Sequence, residues 1–551
     1  MSQQLRVGSR QGRAVLAATV IGSGMVFLDG TIANVAVKHI GQDFHAGFTA
    51  LQWVLNAYTL TLASLILLGG SLGDRLGRRR IFLLGVTWFA LASLACAVAP
   101  NEQVLIAARA VQGIGGALLT PGSLAIISAS FVVEDRAKAV GAWSGLSGVS
   151  TALGPLLGGW LVQDYSWRWA FAINVPLAAV VLVLGVRHMP ESRSTHRYPH
   201  LDVIGTVLIA AALAALTYGT TRAGTSGWSA TAIGITAVGV LLAVLFVLVE
   251  RIKPDPLVPL GLFRDRTFNG TNLMTLLTYA ALSAFLFLFV LNLQVSAGYG
   301  ALAAGLSTLP LTVLMLLLSA RSGALASRIG PRVQLIAGPL LAAVGLLLTL
   351  RIDSTHHSYL PYVLPGVLVF GLGLTTLVAP LTATVMSSAP SDDVGVASGV
   401  NNAISRAGGL LAVAVLPPLA GLHGEAYREV SVMVHGYRVV TLCCVGLLVL
   451  AALVITLTVS AGRSKGLEPV DENATDSNIL KRIHELVAEE KHLRAGGHGL
   501  AGADRQRLQK LETELDQAWD LLRQRRAREE TGDNPNTAKE RSVNEVEGYL
   551  Q

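Results

Sequence analysis

Two ionisable side chains interrupt long apolar runs near the start of the chain: Asp29 in VIGSGMVFLDGTIANVAV and Arg109 in VLIAARAVQGIGGALL. Inside a lipid-spanning segment, such a charge is costly unless it faces a cavity or a partner. Asp29 lies about seven residues, roughly 10 Å, before the outer end of one predicted span, and Arg109 about five residues, roughly 8 Å, after the outer start of another. Their similar depth makes them candidate partners. Desolvation disfavours a charged carboxylate and a neighbouring arginine restores it, so an arginine that moves would load and release a proton. The same two residues also fit a permanent structural ion pair or a helix-capping hydrogen bond. Arg406, about ten residues into a later span, has no acidic partner in its own half of the sequence. It has two equal readings: a cavity cation that attracts an anionic or polar group, or a donor to carbonyls across a helix interface.

Other residues provide packing and hydrogen bonding. Gly70, Gly73 and Gly77, in GGSLGDRLGRRR, permit close helix approach and a tight turn. Asp74 in the same segment is placed to meet a helix N-terminus or an arginine, as a latch that opens and reforms. Arg75 and Arg79 share that latch, whereas Arg78 and Arg80 read as topology signals. In ALGPLLGG, Pro155 removes a helix hydrogen bond while Gly154, Gly158 and Gly159 allow a tight crossing. Asn34, Gln52, Trp53, Asn56, Tyr58, Asn292, Gln294, Asn401 and Asn402 are candidate cavity-lining residues. Each reads equally as an interhelical hydrogen bond worth about 0.6 to 2 kcal/mol. No Walker-type phosphate loop is present, and the spans hold no Ser/His/Asp arrangement or metal-ligand cluster. The expectation is therefore no enzyme activity, no metal and no cofactor. Asp353, His356 and His357 fall in an outer loop and read as solvated, and Cys96, Cys443 and Cys444 read as small core or lipid-facing fillers.

The elements that must position these residues are membrane helices. Of 551 residues, 52% are hydrophobic and 14% charged, well below the roughly 25% charged content of soluble domains. Hydropathy and loop punctuation predict fourteen spans, near 14–36, 50–70, 81–99, 104–131, 139–162, 169–187, 202–221, 230–250, 270–296, 302–320, 333–351, 360–389, 396–421 and 437–460. With the N-terminus inside, most Lys and Arg fall in cytoplasmic loops, including the run Arg75 to Arg80; Lys38, Arg168, Arg222, Arg351, Arg428 and Arg438 fall outside. This predicts a multi-pass protein of the cell (plasma) membrane with both termini cytoplasmic. Its basic charge follows from topology, without a nucleic-acid partner. The first span reads as a retained anchor, being too long for a signal-peptide core.

An internal repeat supports two halves. GSLGDRLGRRRIFLLG at 70–85 aligns without gaps to GALASRIGPRVQLIAG at 323–338, matching Gly77 with Gly330 and Arg79 with Arg332. A second echo pairs Gly113, Gly115, Asp135 and Gly141 with Gly371, Gly373, Asp393 and Gly399. The predicted organisation is an N-terminal six-helix bundle (1–200), two linking helices (201–262), a C-terminal six-helix bundle (263–462), a linker (463–475) and a helical tail (476–551). Repeated halves rocking about a central site are the usual architecture of secondary transporters.

FLDGTIANVAV (27–37), GGSLGDRLGRRR (69–80), RAVQGIGGALLTP (109–121) and ALGPLLGG (152–159) together resemble the major facilitator superfamily, specifically its fourteen-helix drug:proton antiporter branch (EmrB/QacA type). The resemblance covers roughly residues 10–465. It implies an all-α membrane protein of two six-helix bundles plus two extra helices. The implied function is proton-coupled export of drugs or metabolites by alternating access, driven by the proton gradient without ATP. It also implies that Asp29 and Arg109 take part in coupling, and that 152–159 marks antiporters rather than symporters. The family's small residue preceding that segment is Ser150 here rather than Gly. The rival readings are an importer or symporter of the same fold, and a non-transporting sensor signalling through the tail. The expected partners are a small-molecule substrate, protons and the lipid bilayer.

The tail is acidic, with 13 Lys+Arg and 18 Asp+Glu in residues 467–551. Two stripes at helical spacing, Ile479, Ile483, Leu486, Leu493 and Leu508, Leu511, Leu515, Ala518, Leu522, predict a soluble antiparallel hairpin turning at Gly496, Gly497 and Gly499. So short a hairpin buries little, which suits pairing with a copy of itself or docking on another protein or on the cytoplasmic loops; a passive appendage is the alternative. LDQAWDLLRQRRA and ERSVNEVEGYLQ resemble a small actinobacterial family of unknown function.

Overall fold

The computed structural model describes residues 5–193, 202–253, 256, 258–389 and 394–459, and in the tail 479–480, 483, 486–487, 511, 515–516 and 518–528. The described chain is helical apart from one isolated bridge between Leu5 and Phe131. It divides into two units, Met1–Ala461 and Gly462–Gln551.

The helices of the first unit are α1 (Arg10–Asp43), α2 (Phe48–Leu76), α3 (Arg78–Ala97), α4 (Glu102–Ser130), α5 (Val133–Asp164), α6 (Trp169–Ala172), α7 (Asn174–His188), α8 (Val203–Ser226), α9 (Ala230–Ile252), α10 (Arg266–Val295), α11 (Ala301–Leu306), α12 (Leu309–Ile329), α13 (Pro331–Thr349), α14 (Leu364–Ser387), α15 (Val394–Leu419) and α16 (Val430–Thr458). The short α6 continues into α7 as one apolar span, and α11 into α12. Thirteen of the described helices are long and apolar enough to cross a membrane. The 32-residue α5 runs beside them, packed on α1. This is a multi-pass membrane protein.

Side-chain capping starts several helices. Ser9, Asn101, Asp202, Ser229 and Asp265 each accept a hydrogen bond from an N–H in the first turn of the helix that follows, satisfying donors that a helix start leaves open. The repeat seen in the sequence is also a repeat of backbone shape. Gly77 ends α2 and opens α3 at φ +117°, and its counterpart Gly330 ends α12 and opens α13 at φ +83°. Both lie where residues bearing a Cβ are strained.

The first bundle packs α1 on α5 and α7, and α4 on α2 and α3; the second packs α10 on α15 and α16, and α14 on α12 and α13. The linking pair α8 and α9 pack on each other, and α8 also touches α2 and α15. Val238, Leu241, Val244 and Leu248 leave α9 with an exposed apolar face suited to lipid. At its end Lys253 pairs with Asp202, and Glu250 accepts the Val258 N–H at 2.8 Å.

In the tail unit, Ile483, Leu486, Leu511, Leu515, Ala518 and Leu522 share one hydrophobic core, so the two predicted stripes meet. Leu493, Leu508 and the glycine turn lie outside the described residues.

Candidate functional site

Asp29 and Arg109 meet. Nη1 of Arg109 donates to Asp29 Oδ2 at 2.5 Å, and both side chains are fully buried. The sequence placed Asp29 near the outer end of its span. The helix runs further than the predicted span: α1 continues through Asp43, which leaves Asp29 near the middle of a 34-residue helix. The extension is stabilised by burial of Val37, Ile40 and Gly41.

Four further helices complete the cage. Gln112, one turn after Arg109 on α4, donates to Asp29 Oδ1 at 2.8 Å and to Ser93 Oγ of α3 at 2.7 Å. Its Oε1 accepts from Arg109 at 2.6 Å. Asn174, at the start of α7, donates to the same Asp29 oxygen at 3.2 Å and to Ser93 at 3.2 Å. From α2, the Val54 carbonyl accepts from Arg109 Nε at 3.0 Å, and the Tyr58 ring lies 4.3 Å beneath the guanidinium. Phe171 of α6 stacks at 5.4 Å. The carboxylate is therefore fully hydrogen-bonded in its charged form, and protonation must exchange these bonds for others.

Sequence reasoning missed Gln112, Asn174 and Ser93. The three-residue spacing from Arg109 was a usable signal for Gln112; the other two offer none, since a neutral polar residue does not disclose which way its helix face turns.

The ALGPLLGG segment lies between this cage and the second half. A Cβ on Gly154 would fall 1.8 Å from Thr31 Oγ1, and one on Gly158 2.9 Å from Ile32, both on α1 just beyond Asp29. A Cβ on Gly159 would come 2.6 Å from the Leu302 Cα of α11, and one on Gly305 2.4 Å from the Pro155 carbonyl. These glycines let α5 touch the charged helix and the opposite bundle together.

The halves are stitched at the face opposite the Arg75 to Arg80 loop. Lys38 Nζ donates to the Gln294 carbonyl at 2.7 Å, and Gln294 Nε2 returns a bond to the Val35 carbonyl at 3.1 Å. Gln52 donates to the Val413 carbonyl at 2.5 Å, Phe48 N to Gly424 at 2.7 Å and Arg428 to Gly41 at 3.1 Å. Arg168, on the same face, pairs with Asp43 at 2.7 Å.

The candidate cavity residues therefore separate. Gln52 and Gln294 hold the seam instead of lining an open space. Trp53 faces Tyr218 of α8, with ring centroids 6.2 Å apart, and it does line a cavity, of about 470 Å³, shared with Glu102, Ile106 and His423. Asn34 bonds the Gly30 carbonyl of its own helix at 3.3 Å. Asn401 donates to Asn272 Oδ1 at 3.0 Å and Thr275 Oγ1 at 2.8 Å, within its own bundle. Asn292 is buried with both amide atoms lacking a hydrogen-bond partner. Tyr58 and Arg406 remain toward the centre, and Asn402 accepts from Arg406 Nε at 3.2 Å.

In the loop segment, Asp74 pairs with Arg78 at 2.7 Å, one turn on, although Arg78 reads from sequence as a topology signal. Glu191, from the chain after α7, accepts the Arg79 N–H at 3.1 Å and lies 3.7 Å from Arg80, an anion at the positive start of α3. Arg79 reaches the Val186 carbonyl at 2.6 Å, and Arg75 is half-buried in the last turn of α2. The tight helix crossing expected at Gly70 and Gly73 occurs instead at Gly69, where a Cβ would fall 2.1 Å from the Ala117 carbonyl; at Gly70 and Gly73 the nearest atoms stand 3.5 and 3.9 Å away.

Residues 19–413 match the profile of the Major Facilitator Superfamily, and residues 475–551 that of a protein family of unknown function, DUF2630. The chain is 36% identical to the puromycin resistance protein pur8 of Streptomyces alboniger, over 78% of this chain and 87% of that protein. It is 37% identical to the tetracenomycin C resistance and export protein of Streptomyces glaucescens, over 75% and 77%. It is 32% identical to the multidrug efflux pump LfrA of Mycolicibacterium smegmatis, over 73% and 79%. A crystal structure of the peptide transporter POT in complex with sulfate shares the fold, with a TM-score of 0.61 at 15% identity over 82% of this chain and 96% of that one. Bundles, repeat, loop segment and matched length agree: the chain belongs to the Major Facilitator Superfamily, with drug-resistance and efflux proteins among its relatives.

Proposed function

We propose that this protein is a proton-coupled exporter of drug-like or secondary-metabolite small molecules in the cell membrane. Both termini are cytoplasmic, and the stitched face is the outer one. The observation that carries the reading is the Asp29 cage: a buried carboxylate held by Arg109, Gln112 and Asn174. Its helix contacts the glycines of α5 that also seat the second bundle. A proton arriving at Asp29 weakens the grip of Arg109, and movement of α1 against α5 carries that change to the seam. Export among the relatives and the basic loops on the unstitched face support the direction.

The test uses purified protein in liposomes with an imposed ΔpH and tetracenomycin C as the first probe. Uphill movement in exchange for protons, lost in D29N, is the expected result. Proton-driven uptake into inverted vesicles separates export from import.

A further inference from the structure

The fold leaves one central charge uncompensated. Arg406 Nε is tied to Asn402 one turn earlier, and no carboxylate among the described residues pairs with its guanidinium. α15 and α2 run antiparallel, with Val413 held by Gln52 and Gly399 beside Leu67, which brings Arg406 level with the turn of α2 that carries Tyr58. Gly399, Asn402 and Arg406 follow the i, i+3, i+7 spacing that puts them on one helix face. That face looks across to the first half, since a Cβ on Gly399 would fall 2.7 Å from Leu67 of α2.

Tyr58 has the complementary defect. Its ring is committed to Arg109, while its hydroxyl is buried without a hydrogen-bond partner. Leaving a buried hydroxyl unpaired is destabilising, and an unpaired arginine at membrane depth is more so. Asp29 cannot relieve either group, because Arg109, Gln112 and Asn174 already occupy its oxygens. With Asp29 and Arg109 cancelling, Arg406 leaves the centre with one net positive charge.

We propose that Tyr58 and Arg406 together anchor the transported molecule, and that this molecule presents an anionic oxygen group, a carboxylate or an acidic phenol. One such group accepts from both side chains, one in each bundle, and removes both defects at once. A guanidinium fork is suited to this role because its paired N–H groups match the two oxygens of a carboxylate. Cationic lipophiles meet repulsion at the same place. This inference rests on the export reading and names its substrate class.

The test compares two dyes with one xanthene frame and opposite charge, fluorescein (anionic) and rhodamine 6G (cationic). Their binding to the full-length protein in nanodiscs is read by fluorescence anisotropy. The unaltered protein is expected to prefer fluorescein by at least about tenfold. R406Q inverts that order, R406K preserves it, and Y58F weakens fluorescein alone. A single gel-filtration peak for each variant shows that it is folded. Equal affinity of the unaltered protein for both dyes, or a preference for rhodamine 6G, overturns the proposal. So does an R406Q variant that weakens both dyes by the same factor, which marks a structural residue. An R406Q variant that binds both dyes normally but loses ΔpH-driven movement assigns Arg406 to coupling and also overturns it. Charge-ordered binding without ΔpH-driven transport of either dye would strike the export reading alone.

Discussion

Neutralising the buried pair separates stability from coupling. In D29N the side chain keeps its shape but loses its charge, and an amide N–H₂ replaces one acceptor facing Arg109 or Gln112. Where the amide faces Arg109, that side chain, 1% exposed, keeps only the Val54 carbonyl, Gln112 Oε1 and the Tyr58 and Phe171 rings; where the amide faces Gln112 and Asn174, it opposes their N–H donors and Arg109 loses the charge of its partner. Removing one partner of a buried pair costs about 3–5 kcal/mol, and R109Q pays a similar cost by stranding the carboxylate. The double variant D29N/R109Q strands neither charge, so its stability should recover by at least about 2 kcal/mol relative to the sum of the single variants. Thermal unfolding in detergent, followed by tryptophan fluorescence, measures that cycle. Transport should not recover. In liposomes with an imposed ΔpH, all three variants are expected to lose uphill movement of cargo by about a hundredfold or more, while D29E retains part of it. A double variant that concentrates cargo as fully as the unaltered protein would refute the coupling role of the pair. Single variants as stable as the parent would refute the energetics.

Three further outcomes follow from the geometry. G159L should drive α5 and α11 apart, since even a Cβ falls 2.6 Å from Leu302 Cα; a cysteine at Asn292, with Cys443 replaced by Ser, should then react at least about tenfold faster with an impermeant maleimide added outside. G77A and G330A should each destabilise by about 1 kcal/mol or more, because both positions have positive φ; unfolding midpoints against the unaltered protein measure the loss. Hydrogen bonds from the Thr355 hydroxyl and from the His356 and Thr355 N–H groups hold the Asp353 carboxyl well below the usual carboxylate range, although partial burial opposes them. A depressed folded-state value gives stability that is present above the ordinary pKa and lost only as pH falls below it. The Asp353–Arg438 link should therefore keep amide exchange in residues 350–358 protected from about pH 7.5 to about pH 5, after correction for intrinsic rates, whereas D353N should expose them at both.

The membrane helices and the Asp29–Arg109 pair were legible in the sequence because charge stands out against an apolar background. The repeat was legible too, down to the shared positive φ of Gly77 and Gly330. Neutral partners were not. Gln112, Asn174 and Ser93 share the composition of many span residues, and only the rotation of each helix decides whether an amide meets Asp29 or a neighbour. The same ambiguity left Gln52 and Gln294 open between cavity and helix interface; their side chains bond carbonyls across the seam. Glu191 was overlooked because it follows a span in a loop read for charge alone. The Asp74–Arg78 spacing was visible but was set aside in favour of topology. The first helix was ended near residue 36 because the polar end of α1, through Asp43, was trimmed by its hydropathy.

The stitching between the halves has a consequence for the cost of a cycle. Lys38, Gln52, Gln294 and Arg428 reach across to main-chain carbonyls, not to opposite charges. When those bonds part at a wet surface, water takes over both ends, and each exchange costs only about 0.5–1.5 kcal/mol. The closure behaves like a fastener that thermal motion can undo and remake, whereas the deep carboxylate is a lock. Under the proposed coupling, such a division of labour leaves the seam easy to part and gives the timing of the cycle to protonation of Asp29.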